Sequence, residues 1–334
     1  MKAVVQELTS EAAMPKLSRA PTHADSWYEA DCMRGTATVG TSWPMPSRML
    51  TSPKCRQQAT TLTLHLTSYC FTISVYASCV CQPSASQSLP SCTPAAYQLL
   101  TSFSPALCRS RVFLLGPSHH VHTRRCCLSP ATAYDTPLGS LTIDQEVYRV
   151  LQGTGAKPEK HWHGVTSRGC PLRWCRQSVL GTLPPSTQAA EHSLELLTPF
   201  IAFLVAGRPV RLVPIMVGSL STDSEALYGS LLGPYLDDPS NLFVISSDFC
   251  HWGRRFSYTF HDTTQGQPTA FSQYLSKYGN TICGRHPIGV LLNMLQHAAT
   301  LFNVKFVKYD QSSRCERMND SSVSYAAATV LPAV

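Results

Sequence analysis

The sequence predicts an α/β fold, a single domain whose central mixed sheet is flanked by helices. Three observations predict it. Short apolar runs at 112–115, 210–217 and 241–245 have the length and composition of buried strands. Segments with helical patterning and N-terminal capping signals fall between them. Hydrophobic residues make up 43% of 334 residues, enough to fill a sizeable core. Strands alternating with helices bury a sheet between helical layers.

The elements follow in order. Val112-Phe113-Leu114-Leu115 ends at Gly116 and reads as a buried strand. Thr142-Ile143-Asp144-Gln145 reads as a capping box opening a helix through Leu151 that stops near Gly153. The stretch 193–205 is helical in pattern and meets Gly207. Residues 210–217 read as a strand, and Pro214 favours an edge position or a bulge for it. Thr222 with Glu225 gives a second capping box, for a helix running towards Tyr235. Residues 241–245 form the next strand. Residues 287–301 form a helix with proline in its first turn. Residues 304–309 and 321–330 close the pattern as strands, the last carrying small residues that permit close packing.

Two stretches stand apart. No Asp or Glu occurs from Cys32 to Tyr134, and 32–108 is rich in Ser, Thr, Pro and Cys without a sustained helical stripe, so irregular structure is expected there. Within it, 61–81 lacks charged residues but holds too much Thr and Ser for a membrane helix, and the alternation at 61–66 suits a strand. Residues 155–189 have Pro, Gly, Trp and Arg without period and read as an inserted loop.

Fourteen cysteines in so long a chain, with no apolar leader after Lys2 and Glu7, point to reduced thiols and a cytoplasmic protein. Net charge is +7, only mildly basic. The pairs Arg124-Arg125 and Arg254-Arg255 lack interleaved aromatics, so no nucleic-acid partner is expected. No P-loop, dinucleotide-binding glycine loop or nucleophile elbow is present.

Polar residues collect where two strands end. The first strand runs into Gly116-Pro117-Ser118-His119-His120, and the strand at 241–245 into Ser246-Ser247-Asp248-Phe249-Cys250-His251-Trp252. In open α/β sheets ligands bind beyond the carboxyl ends of strands. Asn280-Thr281-Ile282-Cys283-Gly284-Arg285-His286 leads into a helix, where a thiol beside Arg285 and His286 is expected to ionise readily. Thiolate and imidazole are ligands for iron, copper or zinc. Glu191-His192 precedes another helix and closes the same pocket. Plainer roles exist for each: a hydrogen-bonded loop for the His pair, a small buried apolar residue for Cys283, a cap for Asp248. His161, His163, Cys170 and Cys175 mimic a zinc knuckle without matching its spacing.

At these residues the chain resembles a family. His23-Ala24-Asp25-Ser26-Trp27-Tyr28, Leu115-Gly116-Pro117-Ser118-His119-His120, the run 238–253, the run 278–289 and the run 320–327 are similar to MEMO, the mediator of ErbB2-driven cell motility. The resemblance covers about 21–30, 110–155, 190–267 and 271–330. It divides the chain into a family-like segment 1–31, a non-family stretch 32–108, and a core 109–334 carrying the loop 155–189. It implies a fold similar to extradiol non-haem iron dioxygenases and a pocket binding an Fe or Cu ion. On this chain it implies His119 and Cys283 as metal ligands, with Asp248, His251 and His192 around the metal as catalytic or pocket groups. It further implies a cytoplasmic adaptor, with the nucleus as a second location, linking receptor tyrosine kinases to microtubules and motility. Its partner would be a phosphotyrosine-type receptor peptide or a signalling protein.

The departures are specific. The family's Pro-His-Ala-Gly-Tyr segment, source of its first metal histidine, is absent, and His65 lies in that part of the chain in unrelated surroundings. Asp25 replaces a glycine, Leu197 replaces a histidine, and a helix-sized piece is missing between Gln267 and Phe271. Two alternatives to an adaptor therefore follow: a metal-dependent oxidoreductase of the dioxygenase-like class, and a non-functional splice or retrocopy variant.

Overall fold

The computed structural model describes residues 18–22, 71–73, 110–153, 180–184, 191–259, 271–317 and 319–333. The His23–Tyr28 motif, His65, the alternation at 61–66 and the zinc-knuckle mimic at 161–175 lie outside the described residues. In chain order the elements are β1 (Ser18–Arg19), β2 (Phe71–Ile73), β3 (Arg111–Pro117), β4 (Cys126–Leu128), β5 (Ala133–Thr136), β6 (Gly139–Thr142), α1 (Gln145–Leu151), β7 (Gly181–Thr182), α2 (Thr198–Leu204), β8 (Arg211–Val217), α3 (Thr222–Leu236), β9 (Asn241–Ile245), β10 (His251–Gly253), α4 (Phe271–Tyr278), α5 (Arg285–His297), β11 (Phe302–Gln311) and β12 (Ser321–Pro332).

The expected α/β architecture is present. The central sheet has strand order β7-β4-β8-β3-β9. β3 runs parallel to both β8 and β9, whereas β4 is antiparallel to β8, so the sheet is mixed. Its strands β3, β8 and β9 read as largely apolar runs because both of their faces are buried. Phe113, Leu114 and Leu115 of β3 and Val244 and Ile245 of β9 are fully buried. The Phe113 ring stacks on Phe243 at 4.6 Å and meets Tyr235 of α3 at 5.0 Å, which joins sheet to helix. α3 and α5 pack closely together because α3 carries Gly229, where a Cβ would sit 2.3 Å from the Asn293 Cβ.

A second, antiparallel sheet has order β10-β12-β11, and β2 also pairs with β12. A third, small sheet has order β1-β5-β6 and brings residues 18–19 against the core. β11 is the outer strand of its sheet among the described residues; Val304, Phe306 and Tyr309 are exposed on it, and its register breaks between Phe306 and Lys308. No helix among the described residues is long and apolar enough to cross a membrane.

Local chemistry shifts several expected boundaries. Thr142 lies in β6, and the cap of α1 is Asp144, whose carboxylate accepts from the N–H groups of Glu146 and Val147 at 3.1 and 3.0 Å. That carboxylate also pairs with Arg111 at 2.8 Å. Ser221, one residue before Thr222, caps α3 by accepting from the Ser224 N–H at 3.2 Å. The segment expected as one helix over 193–205 opens as a 3₁₀ turn, Glu195–Leu197. The α-helix proper starts where Pro199, which has no N–H to satisfy, fits its first turn. α5 ends at His297 because Ala299 and Thr300 donate their N–H groups to the Asp237 carboxylate at 2.8 and 2.9 Å instead of continuing the helix.

Pro214 is the main departure. It sits in an interior strand, opposite Leu114 of β3. A strand residue's N–H and C=O point to the same side. The Pro214 carbonyl accepts from the Tyr148 hydroxyl at 2.7 Å, so the missing N–H faces away from β3. It faces the place where β4, whose last pair is Leu128 with Ile215, has already ended. No ladder bond is lost.

Candidate functional site

The loops after β3 and β9 leave the sheet side by side. Leu115 and Ile245 are register partners, and the Ser246 N–H donates to the Leu115 carbonyl at 2.7 Å. The predicted site residues divide between two clusters at this edge.

The first cluster gathers His119 and His192 around Glu191. The Glu191 carboxylate accepts from the His119 backbone N–H at 2.7 Å and from the His120 N–H at 3.3 Å. It meets His119 Nδ1 at 2.9 Å. The His119 and His192 rings stack at 4.7 Å with 12° between planes, and His192 Nδ1 lies 3.8 Å from the same carboxylate. The Ser193 hydroxyl donates to the Pro117 carbonyl at 2.7 Å and ties this segment to the end of β3.

Glu191 is buried, which by itself raises a carboxyl pKa. The His119 side-chain and backbone hydrogen bonds, with the charges of His119 and His192, outweigh burial and hold it at about 2. Glu191 is therefore an acceptor only, and His119 Nδ1 must carry the proton. In the neutral ring the Nε2 lone pair of His119 is then left available. One ligand atom each from His119, Glu191 and His192 lie within 4.8 Å of one another. Two imidazoles, one of them oriented through Nδ1 by the Glu191 carboxylate behind it, suit a first-row transition metal ion, with Glu191 as the outer partner of His119 rather than a ligand on the same ion.

The second cluster joins Asp248, His251 and Cys283. The Asp248 N–H donates to Cys283 Sγ at 2.9 Å. His251 Nδ1 is 2.8 Å from the Thr281 carbonyl, which can only accept, so Nδ1 bears the proton and Nε2 is the basic atom. That Nε2 lies 3.7 Å from the Asp248 carboxylate. Thr281 and His251 also exchange backbone and hydroxyl bonds at 3.1 and 2.8 Å. Gly284 lets this loop approach the sheet edge, since a Cβ there would lie 2.2 Å from the Ser247 Cβ.

Cys283 corrects an expectation. Its place before α5, beside Arg285 and His286, predicts easy ionisation, yet burial and then the Asp248 charge push its thiol up to about 12. Desolvation outweighs the helix terminus. Cys283 is not among the residues that converge on His119 within 4.8 Å.

Two participants were missed or undervalued in the sequence. Glu191 is the centre of the first cluster; its signal was its adjacency to His192. Arg19 reaches the same segment from β1, and nothing local in the sequence marks it. A separate depression of about 560 Å³ lies between Phe249, Tyr274, Phe306 and Tyr309, with Cys250 and Asn280 on its wall; it includes neither His119 nor Cys283.

Fold and site together define an α/β protein in which two clusters, one of imidazole and carboxylate and one of imidazole, carboxylate and thiol, gather beyond the carboxyl ends of adjoining parallel strands. A family model described as Memo-like protein matches residues 86–329, and the chain belongs to that family. It is 44% identical over 246 residues to Protein MEMO1 of Danio rerio, covering 66% of this chain and 75% of that one. It is 36% identical over 347 residues to Protein MEMO1 of Xenopus tropicalis, covering 94% and 98%. Against Protein MEMO1 of Homo sapiens the figures are 41% over 245 residues, 66% and 75%. The family match begins inside the stretch 32–108.

Proposed function

We propose that this chain binds one iron or copper ion through His119 and serves as a MEMO-type cytoplasmic adaptor between receptor tyrosine kinases and cell motility, its pocket mouth receiving a phosphotyrosine-type receptor peptide. The observation that carries the metal reading is the His119–Glu191–His192 cluster: Nδ1 of His119 is committed to a buried carboxylate, and Nε2 is free of it. His192, stacked on His119, supplies a second imidazole donor, and Glu191 orients His119 from behind. Cys283 is a further ligand by family resemblance, and its thiol must lose a proton to serve, so metal affinity rises with pH. The adaptor role is supported by family membership.

Bound iron or copper supplies Lewis-acid or one-electron chemistry. The Asp248–His251 pair favours a second reading, a metal-dependent oxidoreductase, because His251 Nε2 is held as a basic atom beside a carboxylate and can accept a proton from a substrate hydroxyl.

The test is anaerobic titration of the full chain with Fe(II) and with Cu(I), followed calorimetrically, beside His119→Ala. Saturable one-site binding that His119→Ala abolishes is the expected result. No saturable binding by the unmutated chain, or binding indifferent to His119→Ala, overturns the metal reading. A phosphotyrosine receptor-tail peptide that binds equally well in chelator supports the adaptor. Turnover of a catechol-type probe that chelator removes supports the oxidoreductase.

A further inference from the structure

We infer that Arg19 is a positioning residue of this pocket, fixing the orientation and tautomer of His119 through Glu191. The inference rests on the reading of His119 as a metal ligand. Arg19 lies on β1, in register with Tyr134 of β5, and its guanidinium carbon sits 5.1 Å from the centroid of the Tyr134 ring. Its two terminal nitrogens diverge. Nη1 pairs with the Glu195 carboxylate at 2.7 Å, and Nη2 donates to the backbone carbonyl of Glu191 at 2.8 Å. Thr22 adds a hydroxyl bond to the same Glu195 oxygen at 3.0 Å. Glu195 is wholly buried and Arg19 is 7% exposed.

One planar fork thus grips a single turn of chain at both ends, at Glu191 and at Glu195. A buried ion pair alone is weak evidence of purpose. The second bond is the informative one. It pins the main chain of the residue whose side chain holds the His119 backbone, the His119 ring and the His120 backbone. Lysine presents a point charge and cannot make both bonds at these angles. Partners that orient a metal-binding histidine through its other ring nitrogen change metal affinity by roughly 10–100-fold when removed; Arg19 stands one residue further out along the same chain of contacts.

The experiment uses the full chain carrying Arg19→Gln together with Glu195→Gln, which removes the pair without stranding a buried charge, and Arg19→Lys. Cooperative thermal unfolding establishes that each variant folds. Long-range proton–nitrogen NMR of the metal-free histidine rings reports the His119 tautomer, and anaerobic Fe(II) titration reports affinity. The unmutated chain is expected to show His119 in the Nδ1–H form alone. The double variant is expected to spread His119 over both tautomers and to bind Fe(II) about 10-fold more weakly or worse. His119 resonances and Fe(II) affinity unchanged in a folded double variant overturn the inference. If the double variant loses its cooperative transition, Arg19→Lys decides: unchanged His119 resonances there overturn it. A chain that binds no Fe(II) yet shows the tautomer change sinks the metal reading and leaves the role of Arg19 standing.

Discussion

Replacing Glu191 with glutamine changes one oxygen to an amide nitrogen and almost nothing else in volume. In the folded chain both carboxylate oxygens accept, from His119 N–H, His119 Nδ1, His120 N–H and Ser193 N–H. Glutamine has one accepting atom, and its NH₂ would face a backbone N–H or a ring N–H. A carboxyl held at about 2 instead of its ordinary 4.5 corresponds to roughly 3 kcal/mol of folding free energy at neutral pH. The sign follows from the direction. A depressed carboxyl stabilises fully above pH 4.5, and the contribution is lost as pH falls through about 2. Urea unfolding at pH 7 should therefore show Glu191→Gln less stable by about 2–4 kcal/mol, and the difference should shrink as both proteins are taken below pH 4.5. Equal stability at pH 7, or a difference that stays constant down to pH 3, would refute the assignment of Glu191 as the charged anchor of His119.

Other outcomes follow from single contacts. Alkylation of the native chain at pH 8, mapped by mass spectrometry, should label the exposed Cys315 long before Cys283, whose thiol is pushed up to about 12; labelling of Cys283 first would contradict its burial. Gly284→Ala should cost about 1–3 kcal/mol by thermal unfolding, because the new methyl collides with Ser247, and a neutral result would mean the loop moves freely. Tyr148→Phe should cost about 1–3 kcal/mol, since it leaves the Pro214 carbonyl and the buried Ser129 N–H without the hydroxyl that meets both; a shift under 0.5 kcal/mol would be too small for that loss.

The strands of the central sheet were legible because burial on two faces writes itself as unbroken apolar runs, and β9 matches the expected 241–245. Caps were misplaced by one or two residues where several capping residues stand together, as at Thr142 and Asp144 or Ser221 and Thr222. The backbone conformation, not the residue type, selects among them. Pro214 was misjudged because its tolerance depends on where β4 stops, a fact held 86 positions away in the sequence. His119, His192, Asp248, His251 and Cys283 were findable as polar residues following apolar runs. Their division into two clusters was not, and neither was Arg19, whose partner Glu191 stands 172 positions along the chain. Local pattern carries no record of such pairs. The thiol of Cys283 departs for the opposite reason: neighbours in sequence suggest positive charge, while its surroundings in space supply burial and Asp248.

The two larger sheets differ in when a growing chain can finish them. Every strand of the central sheet has been synthesised once Ile245 is made. The second sheet is organised around β12, which ends at Pro332 and is the shared neighbour of β2, β10 and β11. On the ribosome the central sheet can therefore assemble while β2, β10 and β11 still wait for their common partner. A truncation before Ser321 leaves those three strands without the element that joins them. Loss of the last fourteen residues should be felt as a failure to complete folding after synthesis, while the central sheet has already formed.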